Sequence, residues 1–133
     1  MARHEQVISV YPELESRFGL SYAVRAGQTL YLSGLVSADD AFHLVGPDDM
    51  ALQIETIYAR MQFVLSKAGA SLHHVVSETN YTTDSPALEA AAHVRRSIYE
   101  SAGAAMPAAT AVHVDSLVLA GAMLEVHAIA VLD

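Results

Sequence analysis

The chain has 133 residues, enough for one hydrophobic core and too few for two domains of ordinary size. Hydrophobic residues make up 53% and charged residues 17%, against about 45–50% and about 25% in typical soluble domains; disorder is excluded, and the excess apolar surface predicts a homo-oligomer. Fifteen acidic against seven basic residues give a net charge of −8, and the basic residues stand singly apart from Arg95-Arg96, so no footprint for a nucleic-acid backbone is present.

Val7 to Val10 reads as a short strand, and Tyr11 to Arg17 as a turn or loop, because Pro12 cannot continue a sheet interior. Leu20 to Arg25 alternates in polarity, Ala26-Gly27-Gln28 supplies a turn, and Thr29 to Ser33 is rich in β-formers, which predicts a hairpin. Ser37 to Pro47 is a loop by its turn chemistry. A long helix follows, with Asp48 or Asp49 as N-cap, apolar residues from Ile54 to Ala68 at intervals of three and four, and Gly69 as its stop.

Val75 to Thr82 is then a strand, and Asp84-Ser85-Pro86 opens a second helix that runs to Gly103. Two closing strands, about Ala108 to Val118 and Ala122 to Leu132, are expected to form a hairpin about Ala120-Gly121. The order predicts an α+β fold in one domain, residues 1–133, with a mixed sheet carrying both helices on one face. No segment is left to cover the other face, so copies of the chain are expected to do so.

The longest apolar stretch, Leu117 to Leu132, is interrupted by Glu125 and His127, so no membrane span is expected, and the N-terminus carries no signal-peptide pattern. Absence of cysteine excludes disulfides, a thiolate nucleophile and a Cys-based zinc site. No phosphate-binding Gly-rich loop, nucleophile elbow or HExxH is present, which argues against phosphoryl transfer and serine-hydrolase chemistry.

Tyr22 to Gly34, Ala68-Gly69-Ala70 with Val75-Val76, Thr79 to Asp84, Pro107 to Val112, and Leu124 to Val131 occur in one order over nearly the whole chain. In these segments the sequence resembles the reactive-intermediate deaminase family, also called Rid or YjgF. The resemblance implies a chorismate-mutase-like fold, a cytoplasmic homotrimer built through the open sheet face, clefts between subunits, and hydrolysis of imines or enamines to carbonyl compounds and ammonia with no metal or cofactor. Its ligand would be a small metabolite, with neither nucleic acid nor membrane as partner.

Such chemistry needs a group that anchors the substrate and a group that holds or activates water. The resemblance puts an anchoring arginine after Pro-Ala, where this sequence has Ala109, followed by Thr110. Arg25, Arg95 and Arg96 are the candidates to replace it. Glu125 occupies the position of the water-orienting carboxylate, within the apolar run Ala122 to Val126, where desolvation would raise its pKa toward that of a general base. Ser33 and Gly34 complete the implied substrate contacts as the cleft wall; the aromatic contact that the resemblance implies falls at Leu20, and Tyr22 and Phe18 are the candidates to replace it, with core or interface packing as their alternative role.

If the last hairpin turns at Ala120, His113 and His127 face one another, with Asp115 and Glu125 on the same face, as a polar patch rather than a metal site. A trimer that binds a small molecule without turning it over is the alternative reading. An endoribonuclease is the lesser one, because the net charge opposes RNA.

Overall fold

The computed structural model describes residues 5–133. Strand β1 (Glu5–Ile8) leads to helix α1 (Pro12–Phe18), then β2 (Ala23–Ala26), β3 (Thr29–Leu32) and the two-residue β4 (Leu35–Val36). Helix α2 (Met50–Lys67) precedes β5 (Val75–Thr82), helices α3 (Ser85–Ala90) and α4 (Ala92–Ser101), β6 (Ala108–His113) and β7 (Leu124–Val131). The fold is mixed α+β, as predicted, with one seven-stranded sheet in the order β1-β2-β3-β7-β5-β6 and β4 beside β7. Among the described residues no helix is long and apolar enough to cross a membrane.

Asp49 is the N-cap of α2: its side chain accepts from the Leu52 N–H at 3.0 Å. The helix buries Ile54, Ile57, Tyr58, Met61, Val64 and Leu65, a stripe at helical spacing, against the sheet. Leu124, Val126, Ala128 and Ala130 alternate onto the same core from β7, while Glu125, His127 and Ile129 face the opposite way. Each large side chain buried there contributes about 1.5–3 kcal/mol. The β2–β3 hairpin turns at Gly27, whose φ of +60° is a conformation glycine reaches without strain.

Three expectations change. Tyr11 to Arg17 is mostly helix, because Pro12 takes the first turn, where its missing N–H costs nothing, and Gly19 closes the helix in the left-handed conformation. The helix opened by Asp84 is interrupted at Ala91, giving α3 and α4. The two final strands do not pair with each other. β6 lies parallel to β5, the consequence of a helical crossover between them, and β7 inserts antiparallel between β5 and the β3–β4 edge.

One sheet face thus carries the helices and the other is open. Val7, Tyr31 and Val131 on it are 60%, 47% and 45% exposed. All six residues of β6, an edge strand, are exposed as well.

Candidate functional site

Glu125 sits on the open face of β7, opposite Val36 of β4 and Tyr81 of β5. Its half-buried carboxylate lies over the backbone at Gly34, between β3 and β4: a Cβ built on residue 34 would overlap Oε2 and stand 2.9 Å from Cδ. Tyr22, Ser33, Gly34 and Glu125 line one cleft of about 350 Å³, with Phe18, Leu20 and Phe42 as its apolar wall. A neighbouring groove continues from Gly34 and Glu125 past Tyr81 to His127.

Burial raises the Glu125 carboxyl above its ordinary value, and nearby His127 pulls it partly back. Tyr22 is buried, and burial raises its hydroxyl despite the opposing charge of Arg60. The hydroxyl is therefore a proton donor at neutral pH. Ser33 spends its own proton on the Ser21 carbonyl at 2.6 Å and keeps lone pairs free to accept.

Ala109 and Thr110 line a separate cavity of about 310 Å³ on the helix side of the sheet. The register pairs Ala109 with Glu78 and Ala111 with Asn80, so the methyl of Ala109 stands beside Glu78. Within one chain, then, the six residues singled out in the sequence divide into two groups: Tyr22, Ser33, Gly34 and Glu125 around one cleft, Ala109 and Thr110 around another.

The expected pairing of His113 with His127 is overturned by the strand order. β5 lies between them, with His113 beside Thr82 and His127 beside Thr79. Among the described residues no three His, Asp or Glu side chains gather as a metal site.

Sequence reading also missed a buried polar cluster under β5. Glu78, whose side chain is fully buried, accepts from Tyr58 Oη at 2.7 Å, from Arg95 Nε at 3.0 Å and from Tyr99 Oη in a short bond. Burial and the adjacent Glu78 push both tyrosine hydroxyls far above their ordinary value, which keeps them donors. The signal lay in the period-two run Glu78, Asn80, Thr82, three polar residues on the face that the helices cover. Arg95, one of the three arginines considered as replacements for the anchor, lines the same cavity as Ala109.

A family model for Endoribonuclease L-PSP matches residues 12–132. No curated protein sequence matches the chain. Among solved structures, a YjgF/YER057c/UK114 family member from Mycobacterium tuberculosis is 28% identical, with a TM-score of 0.78 over 96% of this chain and 99% of that one. A Rid-family protein of unknown function from Yersinia pestis, 24% identical, has a TM-score of 0.81 with the same coverage. The serine-bound TdcF of Escherichia coli, 21% identical, has a TM-score of 0.78 over 85% of this chain and 87% of its own.

Proposed function

The chain belongs to the Endoribonuclease L-PSP family, which includes the Rid and YjgF proteins, and on that premise we propose that it hydrolyses a small imine or enamine to a carbonyl compound and ammonia without metal or cofactor. The observation that carries this reading is the Glu125 carboxylate, pressed onto the backbone at Gly34 in a cleft shared with Tyr22 and Ser33. A half-desolvated carboxylate of raised pKa, beside apolar walls, is suited to take and return one proton.

In the reaction, water attacks the imine carbon, the new C–O bond forms, and the C=N π electrons move to nitrogen. Glu125 accepts the proton released by the water. It gives that proton to the nitrogen, completing the neutral carbinolamine, then takes the carbinolamine O–H proton and delivers it to the nitrogen as the C=O bond forms, the C–N bond breaks and ammonia leaves. An enamine enters the same path after tautomerising to the imine.

The working unit in this reading is a homotrimer, in which the open sheet face is covered and a neighbour's β6 brings Ala109 and Thr110 to the cleft. The exposed apolar residues Val7, Tyr31 and Val131 and the uncovered edge of β6 support it. The serine held by TdcF supports a ligand of that size. Ammonia release by wild type and Glu125→Gln, with the mass of the assembly by light scattering, tests both parts. A monomer, or turnover indifferent to Glu125, would refute the reading.

A binding trimer without turnover is the second reading, favoured by Ala109, which cannot grip a carboxylate as an arginine does. It predicts saturable ligand binding with no ammonia release. The family's descriptive name includes endoribonuclease; the charge of −8 opposes that activity here, and tight, salt-sensitive RNA binding would reverse this judgement.

A further inference from the structure

The cleft at Glu125, about 350 Å³, is larger than a C=N group and its attacking water require, and most of its lining has no proton to give or take. Phe18, Leu20, Val36, Phe42 and Val118 make up that lining. Leu117 and Leu119 pack inward on Val36, Ala38 and Ala122, and Val118 between them is left 83% exposed beside Glu125.

Phe42 is held in this wall against its backbone preference. Its φ of +63° is a conformation that glycine or asparagine enters easily and a bulky side chain does not. The loop enforces it: Asp39 Oδ1 accepts from the N–H groups of Ala41 at 3.0 Å and His43 at 2.8 Å, and the Asp39 carbonyl accepts from the Phe42 N–H at 3.0 Å. What the strain secures is position, with the Phe42 ring edge-on to Phe18 at 4.8 Å between centroids.

Charge narrows the choice of ligand further. Among the described residues no lysine or arginine lines this cleft or the groove that adjoins it. Arg17 lies over the rings of Phe18 and Phe42, 4.9 and 5.9 Å from their centroids, and is not part of the lining. Arg60 is occupied: Nη1 donates to the Ala38 carbonyl at 2.7 Å and stands 3.5 Å from the Asp40 carboxylate, and the guanidinium covers the Tyr11 ring. His127, in the adjoining groove, already interacts with the charge of Glu125. A neighbour's β6 would add neither lysine nor arginine. A substrate carboxylate would therefore lose its water beside Glu125 with no cation of the lining to hold it.

We propose that Phe18, Leu20, Phe42 and Val118 select the substrate, an imine whose carbon bears an uncharged apolar substituent, branched aliphatic or aromatic, and no carboxylate. The substituent lies against this wall while the C=N group meets Glu125. As a statement about a substrate this rests on hydrolysis at Glu125; as a statement about what the cleft binds it is tested without turnover.

The test is titration of the full chain at neutral pH with 4-methylpentan-2-one, acetone and 4-methyl-2-oxopentanoate, followed by the methyl resonances of Leu20 and Val118. The first is the carbonyl product of a matching imine; acetone lacks the branched tail, and the keto acid adds an ionised carboxylate. The branched ketone should bind at least about tenfold more tightly than acetone, since each buried CH₂ is worth about fourfold. It should also bind at least about tenfold more tightly than the keto acid, whose charge has no partner. Phe42→Asn accepts the left-handed turn without the ring and should weaken the branched ketone at least about fivefold. Leu20→Ser, at a position already 39% exposed, gives the same reading should Phe42→Asn fail to fold. Equal binding of the two ketones, preference for the keto acid, affinity retained in both variants, or no saturable shift would overturn the proposal. The last is the result of a wall covered by a neighbouring copy. Ketone binding by a protein that releases no ammonia would leave the ligand preference standing and refute the hydrolytic reading alone. Glu125-dependent ammonia release from 2-iminopropionate with no preference for the branched ketone would refute this inference alone.

Discussion

Gly34 and Glu125 occupy each other's space: the carboxylate rests where a Cβ on residue 34 would be. Gly34 has no left-handed φ to accommodate, so it is the contact, rather than backbone freedom, that a side chain at this position would disturb. Gly34→Ala should displace the carboxylate, and because the end of a flexible, half-buried glutamate can swing aside, the loss in urea denaturation should fall below the about 1–3 kcal/mol typical of overpacking in a rigid core. Adding Glu125→Ala should recover most of that loss, because the collision partner is gone. Additive losses in the double variant would mean that residue 34 acts through something other than Glu125.

The pH dependence of stability follows from the same carboxyl group. Burial places its folded pKa above its unfolded value, so between the two values the folded state binds more protons and stability declines as pH rises. Above the folded value the ionised group remains a cost. Glu125→Gln is free of that decline, so its Tm relative to wild type should increase from about pH 4 to about pH 8. The change is small because the group is only half-buried. A difference that shrinks with rising pH would contradict the assigned direction.

The cluster around Glu78 makes a stability prediction independent of function. Glu78→Ala leaves Arg95 without its ion-pair partner and two tyrosine hydroxyls without an acceptor, and should cost about 3–5 kcal/mol. Tyr99→Phe removes one donor and should cost about 1–3 kcal/mol. Denaturation at fixed protein concentration measures both, since assembly contributes to apparent stability. A Glu78→Ala variant as stable as wild type would remove the cluster from the account of the core.

Ala109→Arg adds a second guanidinium at the cavity where Arg95 is already matched by Glu78. The added charge is unpaired, and a carboxylate can accept from it bidentately. The variant should therefore turn over 2-iminopropionate with a lower KM than wild type does, while an uncharged imine such as 2-iminopropionamide gains nothing. An equal gain for both would show that the residue acts by something other than charge.

The parts of this architecture legible in the sequence are those fixed by local rules. Asp49 and Asp84 start helices, the stripe from Ile54 to Leu65 faces the core, and Gly27 turns the first hairpin. The end of the chain was misread because alternation around Gly121 suits a hairpin as well as two strands that never meet. What decides is the crossover from β5 through α3 and α4, a long-range relation that local pattern does not carry. With the hairpin went the apposition of His113 and His127. Helix α1 was legible, with Pro12 first and Gly19 last, but was read by the rule for strands.

For the candidate site, Glu125 announced itself as a charge in an apolar strand, and the structure adds its contact with Gly34. Glu78 and Arg95 are far apart in sequence and meet only through the packing of α4 on β5. No spacing rule could have joined them.

The most direct measurement is ammonia release from freshly generated 2-iminopropionate and 2-iminopropionamide by wild type and Glu125→Gln. The account predicts acceleration by wild type of at least the uncharged imine, and a loss of about 10²–10⁴-fold on Glu125→Gln, the range expected for a general base. Equal rates in the two proteins, or no acceleration of either imine by wild type, would contradict hydrolysis at Glu125.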